Sequence, residues 1–334
     1  MKKNLFQEDN IDNFKIILQS DIGVRLDLYI TNKLPKYSRS KIQNLIRSNN
    51  ILVNSKQCKT GYRLELNDFI TINHPPEKEE GYSKITPEPI NLNILFEDED
   101  IAIIDKPSGL VVHPGKGNRS NTLVNGLLHH FGNLSDVNGL IRPGIVHRLD
   151  KNTSGLIIIA KNNNAHKNLS EQFRYRSIKK EYCALTWGLW EKKEGQIEVG
   201  LKRDKNDPTK YCVSRNGKKS ITSFKVNKEF QHCSLINFFP KTGRTHQIRV
   251  HSASLGYPIL GDDKYGGGIS KTKGYMEEYS KKYRRYLSNF DRYALHAKKL
   301  EFLHPRNKSV VKFESSLPNE FIELIKKLDN VIES

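Results

Sequence analysis

The chain has 334 residues, with 55 Lys and Arg against 37 Asp and Glu for a formal net charge of +18, a length that suits one large core plus a smaller module and a charge that favours a polyanionic partner, nucleic acid before an anionic membrane. The longest apolar runs, GLIIIA and FITI, are far too short to span a bilayer, and no signal peptide opens MKKNLFQEDNIDNF, so a cytoplasmic protein with no membrane partner is expected. The four cysteines, Cys58, Cys183, Cys212 and Cys233, form no CxxC pair, and the chain has neither an HExxH nor a GxxxxGK[ST] segment, which argues against a disulfide framework, a zinc site and a phosphate-cradling loop and leaves no metal expected.

Residues 1–20 read as an N-terminal extension and 21–76 as a compact module. In RLDLYITNKL, Leu26, Tyr29, Ile30 and Leu34 recur at helical spacing until Pro35 stops the helix. Ser38 is the expected N-cap of a second helix, SRSKIQNLIRS, whose Ile42, Leu45 and Ile46 form an apolar stripe. Arg39, Lys41, Gln43 and Arg47 occupy the rest of that helix, leaving a basic face, with the cations Arg39, Lys41 and Arg47 expected to meet RNA phosphates. ILVN and NDFITI close the module as a pair of short strands. With its helix order, its YSRSKI stretch and its VNSK turn, the module resembles the S4 RNA-binding domain.

HPPEKEEGYSKITPEPI, residues 74–90, carries four prolines and no sustained periodicity, so the linker is placed at 77–90. From 91 to 330, runs such as ILFEDEDIAIIDKPSGLVVHPG, EYCALTWGLW and HCSLINFFP read as strands broken by Gly and Pro turns. Helices are expected at NTLVNGLLHHF and AHKNLSEQFRYRS, packed on a mainly antiparallel mixed sheet, which makes this an α+β domain. EDED, residues 97–100, reads as an exposed turn and gives little support to a metal-dependent nuclease. The Lys- and Tyr-rich insertion at 266–292 reads equally well as an RNA-touching excursion or as a solvated helix with half-buried tyrosines. The tail is an amphipathic helix with Phe321, Ile322, Ile325 and Leu328 on its apolar face.

Two polar cassettes carry the chemistry. In GIVHRLDKNTSGLIIIAK, Asp150 sits between basic residues and an apolar run. A lone Asp in a loop is ordinarily a turn or cap residue. Here Asn152, Ser154 and Gly155 are better turn formers, and His147 and Arg148 suit an acid that faces an RNA backbone. The second cassette, KTGRTHQIRVH, packs Arg244, His246, Gln247, Arg249 and His251 between strand-like stretches, more polarity than a buried sheet tolerates without partners. A nucleic-acid groove accounts for it, with the arginines on phosphates and Gln247 on a base edge or backbone.

Together, HRLDKNTSGL and GRTHQIRVH, with VVHPGKGN before them and EYCAL between, resemble the RluA-type family of RNA pseudouridine synthases over roughly residues 21–320. VVHPGKGN, TLVNGLLHHF and NFDRYALHA look most like its large-subunit ribosomal RNA branch, branch D. The resemblance implies cofactor-free isomerisation of uridine to pseudouridine. Asp150 would be the catalytic aspartate, Arg249 its basic partner and Tyr182 the aromatic that packs on the target base. The partner implied is large-subunit ribosomal RNA or a pre-ribosomal particle, bound by a monomer. Asn152 departs from the Asp that relatives often carry there. The rival readings are a noncatalytic ribosome-assembly protein and a synthase acting on other RNA, such as transfer RNA.

Overall fold

In the computed structural model, residues 11–16, 19–34, 37, 39–73, 85–115, 117–139 and 141–329 are described. They fall into two compact units, Met1–Ser83 and Lys84–Ser334. Pro35, Ser38 and the side chain of Lys41 lie outside the described residues.

The first unit contains β1 (Ile11–Lys15), α1 (Leu26–Lys33), α2 (Arg39–Arg47), β2 (Ile51–Val53) and β3 (Phe69–Asn73), with an antiparallel sheet in the order β1-β3-β2. Leu26 and Ile30 from α1 and Ile42 and Ile46 from α2 are almost fully buried against Ile51, Ile70 and Ile72, the outcome expected of two helical stripes over one sheet face. Residues 11–16, read from sequence as an extension, belong to this unit: β1 pairs with β3, and Ile16 is fully buried in the core.

The helices are also joined by charge. Asp27, whose side chain is fully buried, accepts bonds from Arg25 Nε (3.0 Å), Arg39 Nη2 (2.9 Å) and Gln43 Nε2 (2.7 Å), and these partners hold its carboxyl well below the usual carboxylate range against the opposing effect of burial. Arg39 is thus a strut between α1 and α2 whose side chain is still about half exposed. Arg47 is exposed and donates to Asn44 Oδ1 at 3.1 Å.

The second unit runs β4 (Asn93–Glu97), β5 (Ile101–Lys106), α3 (Leu123–Phe131), β6 (Ser154–Ala160), α4 (Asn163–Tyr175), β7 (Lys179–Trp187), β8 (Glu194–Arg203), β9 (Tyr211–Val213) and β10 (Lys218–Glu229). It continues with β11 (Cys233–Pro240), α5 (Gln247–Ser254), α6 (Glu277–Ser288), β12 (Leu295–Leu303), β13 (Val310–Glu314) and α7 (Asn319–Asp329). Its ten-stranded sheet has the order β4-β5-β6-β12-β7-β11-β10-β8-β9, with β13 on β12. Every pairing is antiparallel except β6 with β12. The fold is thus α+β on a mainly antiparallel sheet.

β6 explains the apolar run after Asp150. All seven of its residues are buried, and each of Leu156, Ile157, Ile158 and Ile159 contributes about 2 kcal/mol by leaving water. EDED forms the tight β4–β5 turn, but it is not simply exposed: Asp100 is buried and binds Arg306 Nε, while Asp98 Oδ2 meets His304 Nε2 at 2.7 Å. In α7 the buried stripe is Phe321, Leu324 and Leu328, and Ile322 is exposed. Within the insertion, α6 buries Tyr283 and half-buries Tyr279 and Tyr286 against the core.

Candidate active site

Sheet order gathers the two cassettes. β6, β12, β7 and β11 are successive neighbours. Asp150 lies four residues before β6, Tyr182 is on β7, and GRTHQIR follows the end of β11. Tyr182 pairs directly with Phe238 of β11, two residues before that strand ends. Residues from three separate stretches of the sequence therefore line one cleft of about 630 Å³ including its mouth, among them Arg148, Asp150, Lys180, Tyr182, Arg244, His246 and Arg249.

Asp150 is the first residue of a turn after all, since its carbonyl accepts the Thr153 amide at 3.1 Å. That leaves its side chain free for other work. Oδ2 accepts from Arg249 Nη1 at 3.1 Å and from the Tyr293 hydroxyl at 3.5 Å, and His246 Nε2 lies 3.9 Å away. Among the described residues no group bonds Oδ1, and the side chain, 18% exposed, lines the cleft, which leaves the lone pairs of this oxygen without a protein donor.

The second cassette turns into a helix rather than a strand. His246 takes the left-handed conformation (φ 56°) at the N-terminus of α5, which puts Arg249 inside the first turn. Arg249 is 5% exposed and gripped on three sides. Asp262 takes Nε at 2.7 Å and Nη2 at 2.8 Å, and the rings of Tyr293 and Tyr265 lie with centroids 4.2 and 4.9 Å from the guanidinium carbon. Burial opposes its charge, but the Asp262 carboxylate and the other anionic neighbours hold its pKa above the ordinary value. With Nε and Nη2 held by Asp262, Nη1 remains for Asp150. The cation cannot follow the solvent or choose another carboxylate, so the direction of its contact with Asp150 is set in advance.

Two residues read as RNA contacts are bonded within the protein. Gln247 is 4% exposed and fully bonded: Oε1 accepts from Thr242 Oγ1 (2.7 Å) and the Arg244 amide (3.0 Å), and Nε2 donates to Ile221 O (3.0 Å) and Thr222 Oγ1 (2.9 Å). It ties the β11–α5 loop to β10 and has no donor left for a base edge. His147 Nε2 accepts the Ile158 amide at 2.8 Å, its ring packs on Phe173, and burial lowers its pKa to about 3, so it is a neutral strut of β6 and not a phosphate cation. His251 is likewise structural, buried against Ser220 Oγ at 2.8 Å. Arg148 and Arg244 are exposed at the cleft and remain available to RNA.

Sequence reasoning passed over Asp262, Tyr265 and Tyr293, which orient Arg249, and Lys106, which supports the turn from behind. Lys106 is fully buried, and its Nζ donates to the carbonyls of Pro107 (2.8 Å), Leu110 (2.9 Å) and Lys151 (3.0 Å). Burial brings its pKa down to about 7. A signal was present in GDDKYGGG, where an acid and an aromatic flank a cation within a glycine-rich turn.

A family model described as RNA pseudouridylate synthase matches residues 100–254, and an S4 domain model matches residues 24–70. An uncharacterized RNA pseudouridine synthase of Bacillus subtilis (strain 168) is 38% identical over 91% of this chain and 94% of its own length. The chain belongs to the RNA pseudouridylate synthase family. The ribosomal large subunit pseudouridine synthase D of Escherichia coli (strain K12) is 37% identical to this synthase over 92% of both chains. Among solved structures, human RNA pseudouridylate synthase domain containing 1 aligns with a TM-score of 0.53 and 25% identity, over 69% of this synthase and 85% of that chain. This synthase is accordingly an RNA-modifying enzyme with an S4 RNA-binding domain, and no helix among its described residues is long and apolar enough to cross a membrane.

Proposed function

We propose that this synthase converts uridines of large-subunit ribosomal RNA to pseudouridine, with Asp150 as the reacting carboxylate, Arg249 as its orienting cation and Tyr182 as the platform for the extruded base. The observation that carries the reading is the Asp150–Arg249–Asp262 chain of contacts, which leaves one carboxylate oxygen open to the cleft. Isomerisation requires breaking the bond from nitrogen 1 to the sugar, turning the ring and rejoining it through carbon 5. A carboxylate begins this either by attacking the sugar or by removing a proton from it, and both need a fixed, unprotonated oxygen lone pair. The carbon-5 proton leaves and nitrogen 1 gains one, so the reaction balances without a co-reactant.

A base stacked in RNA hides that bond, so the nucleotide must swing out. Tyr182 is half-buried in the cleft beside Asp150, where its ring can take the face of a uracil. Arg148 and Arg244 at the mouth suit the flanking phosphates. The choice of ribosomal RNA rests on the likeness to the large-subunit synthase of E. coli. It is tested by mapping pseudouridines through carbodiimide-dependent primer-extension stops in cells with and without the gene. Loss of sites in large-subunit RNA is expected, and loss confined to small-subunit or transfer RNA would contradict the assignment.

A further inference from the structure

One cation in the cleft has no task in the scheme above. Lys180 is half-buried on β7 and lines the same cleft as Asp150 and Tyr182. Its strand neighbours are satisfied elsewhere: Lys179 pairs with Glu301 at 2.6 Å, and Glu181 accepts from Asn237 Nδ2 at 2.9 Å. Alternation along the strand puts Lys180 on the side of Tyr182, away from those partners. Among the described residues its ammonium has no hydrogen bond and no ion pair. A half-buried ammonium with no protein partner among the described residues keeps its three donors for whatever enters the cleft.

The acceptor can be assigned by depth. A flipped nucleotide enters a pocket base first, so its phosphates stay near the mouth, where Arg148 and Arg244 are exposed, and its ring goes deepest. When the glycosidic bond breaks, the bonding pair leaves with the ring, whichever way Asp150 acts on the sugar. Uracil then carries a negative charge shared between nitrogen 1 and its two carbonyl oxygens. We propose that Lys180 is a catalytic residue that donates a hydrogen bond to a carbonyl oxygen of the departing uracil anion, stabilising that charge until carbon 5 attacks the sugar and returns the pair. No proton is transferred to the ring by Lys180, and the ammonium is unchanged at the end.

The assignment rests on the proposed synthase reaction and deepens it. Burial lowers the Lys180 pKa to about 8, which leaves the ammonium charged at neutral pH and makes its loss measurable. The charged or titratable groups that share its surroundings are Tyr182 on its own strand, whose hydroxyl burial pushes above its ordinary value, His147, Arg148 and Asp150 on one loop and Arg244, His246 and Arg249 on the other. The arginines do not titrate in the range used, His147 is neutral throughout it, and burial keeps the His246 pKa below its ordinary value. Lys106 behind the Asp150 turn, brought to about 7 by burial, also titrates on the alkaline side, so the part of an alkaline fall that belongs to Lys180 is the part that Lys180→Arg moves.

The test uses the full chain and RNA tritiated at carbon 5 of uridine, with kcat, KM and RNA affinity measured across pH. Lys180→Gln is expected to lower kcat about a hundredfold, the size seen when one donor to a developing oxyanion is removed, with KM and affinity within twofold. Lys180→Arg is expected to restore much of kcat and to move the alkaline fall to higher pH. If the Gln variant does not fold, the Arg variant decides alone through that shift. An effect carried mainly by KM would make Lys180 a phosphate contact and overturn the assignment, as would unchanged kinetics or an unmoved alkaline limb. Absence of release by the wild type would instead overturn the synthase reading itself.

Discussion

At Asp150 the ordinary role of an aspartate and the proposed chemical one coexist, because they use different atoms. The backbone carbonyl closes the turn with Thr153, and the carboxylate meets Arg249. Arg249 in turn depends on its planar fork, since Asp262 binds two of its nitrogens while a third reaches Asp150. Arg249→Lys keeps the charge but offers a single point, so it cannot satisfy both acids in this geometry. The expected result is a drop in kcat of about a hundredfold, the scale of a 1 Å misplacement, with RNA affinity nearly intact. Full turnover by the Lys variant would show that the fork is dispensable. Asp150 and Arg249 were legible in the sequence because HRLD and GRTHQIR are dense polar cassettes beside apolar strands. Gln247 and His147 were misread for the same reason: polarity reveals that partners are needed, but not that the partners are backbone groups of β10 and β6.

Elements were legible where periodicity was strong. The stripes of α1 and α2, the apolar run of β6 and the helices α3 and α4 all follow from spacing. α5 was not, since GRTHQIRVH mixes β-branched and long polar residues and its start depends on a left-handed His246. β1 was missed because its partner β3 is more than fifty residues away. The parallel β6–β12 contact has a specific requirement. Gly155 has φ +106°, and a Cβ there would lie 2.2 Å from the Ala297 carbonyl oxygen, so Gly155→Ala must push the two strands apart beside the Asp150 turn. We expect a loss of roughly 3 kcal/mol or more, read as a lower midpoint in urea, and an unchanged midpoint would contradict the pairing. In the S4 unit, Asp27→Asn removes the buried charge shared by Arg25, Arg39 and Gln43, with an expected cost of roughly 3 kcal/mol at neutral pH. The folded pKa of Asp27 is depressed, so its stabilisation is present above the unfolded value near about 4 and fades as pH falls below it. The difference between wild type and variant should therefore shrink in acid, and a gap independent of pH would show that packing, not charge, is at stake.

For the whole molecule, the net charge of +18 pointed to a polyanion before any motif was considered, and each unit encloses a core of its own. Composition could not say which cations are spent internally, as Arg249 is. Removing residues 1–83 is expected to leave a folded catalytic unit that binds RNA more weakly and with a shallower dependence on salt, because fewer phosphates are neutralised. An unchanged salt slope would mean that the S4 unit contributes no phosphate contacts. The central claim concerns the acid between the two cassettes, and one measurement reaches it directly. Bond formation at carbon 5 expels the hydrogen held there, so RNA tritiated at that position reports isomerisation as released label. Asp150→Asn keeps the shape of the side chain but provides neither an effective nucleophile nor a base. The wild type should release label, and the Asn variant should bind the same RNA with equal affinity and release none; release by the variant at the wild-type rate would leave Asp150 as a turn residue only.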